Sequence, residues 1–161
     1  MTTPPVATET AEPEPAVSVP SPEPEFQAPP DPNVLSEDIV EANRQARDRG
    51  WIRDAFFAFD ASTLDADAQA ALQQSATWLR SRPEFRIRIE GHCDERGTEQ
   101  YNLALGDRRA ETAAAYLVTL GVDRSRIETV SYGEERPFET GSNEAAWAQN
   151  RRAHLVLAGR Q

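Results

Sequence analysis

Lysine is missing from this sequence. All 17 basic side chains among its 161 residues are arginine, and they face 27 acids for a formal charge of −10. A nucleic-acid binder needs a basic stripe to neutralise phosphates, and so acidic a balance argues against one. A single cysteine, Cys93, leaves no internal disulfide framework and no multi-cysteine zinc or iron–sulfur site. Long hydrophobic runs are missing as well: the uncharged stretch at residues 112–122 is far too short to span a bilayer. No charged segment followed by an apolar one opens the chain, so no signal peptide is expected in it. Glycine is absent before Gly50, and Phe26 is the only aromatic residue before Trp51.

The first 33 residues hold proline instead, ten of the 12 in the chain, with six acids and no basic residue. Such a segment buries too little apolar surface to offset its conformational entropy. Residues 1–33 are therefore expected to form a disordered Pro/Glu-rich spacer, reaching on the order of 100 Å at about 3.1 Å per residue if fully extended. A leader that serves solubility alone is the plainer account. The remaining 128 residues set 17 arginines against 21 acids, so the tail carries −6 of the charge and the rest only −4. The length predicts one domain with an appended tail.

From residue 34 the pattern becomes that of an α/β unit. Ser36-Glu37-Asp38 reads as a helix start, and Arg44, Arg47 and Arg49 before Gly50 suit its end, giving a lead-in helix within residues 34–51. Residues 52–59 read as a strand with apolar groups on both faces, which predicts a central, doubly covered position. A helix is expected over 65–82, with Asp65 as N-cap and Pro83 as the stop. Phe85-Arg86-Ile87-Arg88-Ile89-Glu90 alternates strictly, as a strand does. A long helix from about Thr98 to Leu120, a strand over 127–131, a helix over 143–149 and a strand over 152–157 complete the order β-α-β-α-β-α-β. That order implies helices packed on one sheet in a domain spanning residues 52–161.

The densest run of functional side chains is Gly91-His92-Cys93-Asp94-Glu95-Arg96-Gly97, between a strand and a helix N-terminus. A metal site there would need adjacent residues to converge on one ion with help from other elements, and the only other histidine, His154, is on a strand with no His-x-x-x-His pairing. A Cys93 nucleophile would need a base, and its neighbour His92 points to the opposite side in an extended segment. A third reading is a clamp for a zwitterion. Asp94 supplies a carboxylate for an ammonium group, and the helix start at residues 98–100 supplies free backbone N–H groups. Thr98, Asn102, Leu105 and Arg109 fall at i, i+4, i+7 and i+11, so Arg109 shares a face with the loop end and can grip a carboxylate. On the residues alone, an ordinary solvated helix face carrying Arg108, Arg109 and Glu111 accounts for the pattern equally well.

Five motifs stand in order: Phe57-Ala58-Phe59-Asp60; Glu90-Gly91-His92-Cys93-Asp94-Glu95-Arg96-Gly97-Thr98; Tyr101-Asn102-Leu103-Ala104-Leu105-Gly106-Asp107-Arg108-Arg109-Ala110; Val130-Ser131-Tyr132-Gly133-Glu134-Glu135-Arg136-Pro137; and Asn143-Glu144-Ala145-Ala146-Trp147 through Asn150-Arg151-Arg152-Ala153. Over roughly residues 52–157 the chain resembles the OmpA-like peptidoglycan-binding domains, and is most similar to their peptidoglycan-associated lipoprotein (Pal) branch. The resemblance implies an α+β sandwich with helices on one mixed sheet. It also implies a module that binds the diaminopimelate residue of peptidoglycan stem peptides without cleaving it and without a cofactor or metal. Carried over by position, Asp94 and Arg109 become the principal ligand pair. Asp60 with the following Ala61 backbone, Arg96, Thr98 and Leu105 become the pocket lining, while Asn102 and Arg151 become structural or secondary.

The same resemblance implies a role in the Tol–Pal system, with a TolB-like propeller protein as partner. It further implies a lipid anchor to the outer membrane from the periplasmic side, although no lipobox cysteine stands in this sequence. Cys93 departs from the pattern, in which relatives more often carry a small non-thiol residue. Two alternatives remain: a cell-wall hydrolase using His92, Cys93 and Asp94, or the same binding module taken from a porin-type OmpA or a flagellar stator protein.

Overall fold

The computed structural model describes residues 35–161, so the expected spacer over residues 1–33 lies outside the described residues. Four helices and four strands alternate along the described chain: α1 (Glu37–Asp48), β1 (Ala55–Phe56), α2 (Ala66–Ser81), β2 (Phe85–His92), α3 (Glu99–Thr119), β3 (Ile127–Gly133), α4 (Glu144–Asn150) and β4 (Arg152–Arg160). A single 3-10 turn, Arg124–Arg126, precedes β3. The caps follow the sequence chemistry. Asp65 accepts from the Ala68 amide, Thr98 from Tyr101 and Asn143 from Ala146, each side chain satisfying one of the orphan donors at a helix start.

The strands form one mixed sheet in the order β1-β4-β2-β3. β2 runs parallel to β3 and antiparallel to β4, and β1 pairs antiparallel with β4. The parallel pair requires a long crossover, which α3 supplies. Ile87 and Ile89 lie opposite Leu157 and Leu155, and all four are fully buried together with Leu72 and Leu79 of α2 and Ala110, Ala113, Ala114 and Leu117 of α3. The small side chains of α3 bring its backbone close to the sheet. Closest is the crossing of Gly106 over Gly91: a Cβ on Gly91 would stand 1.7 Å from the Gly106 carbonyl oxygen.

One element differs from its sequence reading. Residues 52–59 were expected as a central strand, but only Ala55 and Phe56 pair, and they do so at the edge of the sheet. The phenylalanines that suggested two covered faces divide between core and surface. Phe57 is buried, while Phe56 is 41% and Phe59 58% exposed. An arginine, not a second apolar layer, lies against each exposed ring: Arg152 against Phe56 and Arg96 against Phe59. Guanidinium stacking covers an aromatic face without a hydrophobic partner, and a hydropathy pattern does not register it.

Asp54, just before β1, ties the lead-in helix to the sheet. Its buried carboxylate meets Arg47 of α1 at 3.1 Å, Arg152 at 2.9 Å and His154 Nδ1 at 2.8 Å, and accepts from the Leu155 amide. Burial pushes this carboxyl up, but the hydrogen bond and charge of His154, the Arg47 charge and the Leu155 amide outweigh it and hold it well below its ordinary value of 3.8. A folded-state value below the unfolded one contributes stability that is present above about pH 4 and is lost as the pH falls further. Acid denaturation monitored by circular dichroism should therefore begin below about pH 4 in the wild type. In Asp54→Asn the loss between pH 4 and 2 should be shallower, from a lower starting stability.

Candidate functional site

The carboxyl ends of β2 and β3 present the site. A register shift at Gly91 and His92 ends the regular ladder, and the Cys93 amide donates to the Gly133 carbonyl at 2.8 Å, holding the loop against β3. Asn102, one turn into α3, then fixes the loop from beneath. Its side-chain amide reaches the Arg96 carbonyl at 3.0 Å, the Asp94 carbonyl at 3.3 Å and Glu134 Oε1 at 2.9 Å. Asn102 is 2% exposed, so these bonds brace the loop in a dry setting.

A pocket of about 230 Å³ opens above this brace, lined by Phe59, Asp60, Cys93, Asp94, Arg96, Gly97, Tyr101, Asn102, Leu105 and Arg109. Of the residues expected at the site, Asp60, Asp94, Arg96, Leu105 and Arg109 line it, with Asn102 beside them. Ala61, Thr98 and Arg151 are not among its lining residues. The Thr98 hydroxyl is committed to the Tyr101 amide, and the Ala61 carbonyl to Arg109. Sequence reading missed Phe59 and Tyr101. Tyr101 stands one turn before Leu105 on α3, so the helical period could have found it. The Tyr101 hydroxyl donates to Asp60, which holds a left-handed backbone (φ 58°) that Asp tolerates better than most residues.

Asp94 and Arg109 are held in different ways. Asp94 Oδ2 lies 2.8 Å from Arg96 Nη2 and 3.6 Å from Arg151 Nη1, while Oδ1 accepts from the Arg96 amide and Nε. Burial pushes the Asp94 carboxyl up, and the Arg96 hydrogen bonds together with the Arg96 and Arg151 charges bring it below its ordinary value, so it stays ionised. Arg109 is 1% exposed, and its guanidinium donates to three backbone carbonyls: Ala61 at 2.8 Å, His92 at 2.9 Å and Ala58 at 3.1 Å. Among the described residues it makes no ion pair. Five N–H donors less three leave one on each Nη nitrogen. The result is a buried cation whose partners are neutral, facing a pocket that also holds an anion. Burial lowers the guanidinium's pKa, with the nearby Cys93 and the Asp94 charge opposing it.

The thiol is poorly placed for chemistry. Cys93 is 3% exposed, burial pushes it up to about 11, and its sulfur donates to the Asn102 carbonyl at 3.2 Å. A nucleophile needs the thiolate, which this setting suppresses. His92 turns to the other side of the sheet, with Nε2 3.2 Å from Glu90. A wider cleft, about 830 Å³, lies between the end of α1 and the start of α2, but Asp54 at its edge is already paired with Arg47 and Arg152. We place the candidate site at the smaller pocket, where a buried charge is left without a counter-ion.

Comparison with known proteins agrees with this geometry. The family model described as OmpA family matches residues 56–151. The peptidoglycan-associated lipoprotein of Rhizobium meliloti (strain 1021) is 51% identical over 104 residues, covering 65% of this chain and 59% of that protein. The protein of the same name from Brucella melitensis is 50% identical, covering 65% and 62%. The chain thus spans about three fifths of the length of these curated relatives. The crystal structure of the peptidoglycan-associated lipoprotein from Burkholderia pseudomallei superposes with a TM-score of 0.63 at 49% identity, covering 68% of this chain and 90% of that one. The C-terminal domain of Helicobacter pylori MotB, at 19% identity and a TM-score of 0.61, shares the fold alone. With the family model covering more than half of the chain, and the loop, helix and strand ends of the pocket all inside the matched span, the chain belongs to the OmpA family.

Proposed function

We propose that this protein is a non-catalytic, Pal-like module that binds peptidoglycan through the diaminopimelate residue of stem peptides. The observation that carries the reading is the buried Arg109 guanidinium, whose hydrogen-bond partners among the described residues are all carbonyls and which stands in the same pocket as the ionised Asp94. A buried cation without a counter-ion is costly, and an incoming carboxylate relieves that cost with a bidentate, charge-assisted contact. The distal centre of diaminopimelate carries an ammonium and a carboxylate together, which suits Asp94 and Arg109, and Leu105 covers the methylene chain. Asp60, with the Ala61 backbone behind it, and Arg96 and Thr98 complete the surround.

The names of the relatives extend the proposal to a tether. The Pro/Glu-rich residues 1–33 would link the binding domain to an outer-membrane lipid anchor on the periplasmic side. The domain would then act in a Tol–Pal system with a TolB-like propeller partner.

Isothermal titration of the protein with a diaminopimelate-containing tripeptide tests the binding step. Binding is expected for the diaminopimelate peptide and to weaken by at least tenfold when lysine replaces it, because lysine lacks the distal carboxylate that Arg109 would hold. Asp94→Asn should weaken binding by a further tenfold or more, since it removes the charge facing the ammonium. Equal affinity for the lysine and diaminopimelate peptides would sink the assignment.

A further inference from the structure

Trp147 lies outside the pocket wall, yet it contacts the residue that grips Asp94. The Arg96 guanidinium carbon stands 4.0 Å from the centroid of the Trp147 ring and 3.9 Å from that of Phe59. A ring this close fits only over a face of a planar guanidinium, and each face holds one ring. Arg96 is therefore held between a residue beyond the end of β1 and a residue of α4. Its edge remains free for the bidentate contact with Asp94 through Nε (3.2 Å) and Nη2 (2.8 Å). The indole is itself oriented, since Nε1 donates to Glu95 Oε1 at 3.1 Å, one residue beyond Asp94. Four positions along the chain, Arg151 places Nη1 3.6 Å from the same Asp94 carboxylate. The short helix α4 and the residue that ends it thus act on Asp94 twice, through Trp147 and Arg96 and through Arg151.

We propose that Trp147 is a positioning residue for the ligand pocket, fixing Arg96 against Phe59 so that Asp94 keeps one orientation and Arg96 stays clear of the ammonium position. The proposal rests on the diaminopimelate reading above. A long arginine side chain held on one edge alone would sample several rotamers, some of them across the pocket mouth, and the ligand would have to displace them. Two stacked faces remove that freedom before the ligand arrives.

The experiment combines titration with NMR on the full chain. Trp147→Ala should bind the diaminopimelate tripeptide about tenfold more weakly than wild type, while Trp147→Phe, which keeps a ring over the guanidinium, should recover most of the loss. In an Arg96→Ala background, Trp147→Ala should cause no further loss, because the tryptophan acts through that arginine. Independently of any ligand, the Arg96 Cδ methylene protons, which make no hydrogen bond, should resonate upfield of those of a free arginine from the ring currents, and move back in Trp147→Ala. Additive losses, a Trp147→Phe variant as weak as Trp147→Ala, or an unshifted Arg96 signal in the wild type would each overturn the positioning role. A wild type that fails to bind the tripeptide would overturn the diaminopimelate reading instead, and the Arg96 signal would still decide the clamp.

Discussion

Replacing Arg109 with leucine should abolish measurable binding of a diaminopimelate peptide and lower the melting temperature by on the order of 10 °C. The two effects have one origin. The guanidinium donates to carbonyls of Ala58, Ala61 and His92, which belong to the segment after β1 and to the end of β2, while its own backbone is in α3. Leucine leaves three acceptors without their donor, one buried and two part-buried, at about 1 kcal/mol each after discounting the relief from desolvating the cation. Binding loses its carboxylate partner outright, a loss of about a hundredfold or more. Arg109→Lys separates the two roles. One ammonium cannot reach three carbonyls on two separate segments, so the thermal loss should persist, while the retained charge should keep binding within about tenfold of wild type. If Arg109→Leu melted like wild type, the brace assigned to this side chain would be wrong. If it bound like wild type, the clamp would be wrong.

Gly91→Ala should be equally disruptive without touching a charge. The added Cβ would stand 1.7 Å from the Gly106 carbonyl oxygen, so α3 must move away from β2. A backbone-to-backbone clash in a packed core has no flexible side chain to absorb it, and a loss of about 3 kcal/mol or more is expected. Gly106→Ala meets a softer obstacle, the Ser131 hydroxyl at 2.3 Å, with the Gly91 carbonyl at 2.9 Å. Alanine is the better helix former by about 1 kcal/mol, so any destabilisation by Gly106→Ala shows the contact outweighing propensity. Adding Ser131→Gly should restore part of it, although the lost hydrogen bond from Ser131 to the Leu103 carbonyl sets a ceiling. Chemical denaturation gives all four stabilities. Because the pocket spans the loop after β2 and the first turns of α3, ligand affinity in Gly91→Ala should fall along with stability.

The sequence was most informative where local chemistry acts alone. Asp65, Thr98 and Asn143 cap the helices they stand before, and the alternation at 85–90 marks β2, an inner strand. The spacing of Asn102, Leu105 and Arg109 brought three pocket residues onto one face of α3. It was least informative where partners come from far along the chain. The apolar run at 52–59 gave no sign that arginines would cover its rings, nor that β4 would stand inside it and leave β1 at the edge. The reach of Arg109 to carbonyls 48 and 51 residues away was equally hidden, because backbone acceptors carry no residue signature. Trp147 belonged to a recognisable motif, but only the fold brings it to Arg96.

The place of β4 in the sheet has a consequence for the order of assembly. Among the described residues, β4 is the only partner of β1 and one of two partners of β2. Until residues 152–160 are available, the first strand has nothing to pair with, and the sheet can form only as the β2–β3 pair under α3. Synthesis proceeds from the N-terminus, so the domain cannot close before β4 has been made, and a truncation before Arg152 would leave the edge of β2 along Ile87 and Ile89, and Ala55 of β1, without a strand partner. Closure thus waits for residues 152–160, and the native sheet is reached only once they have joined it.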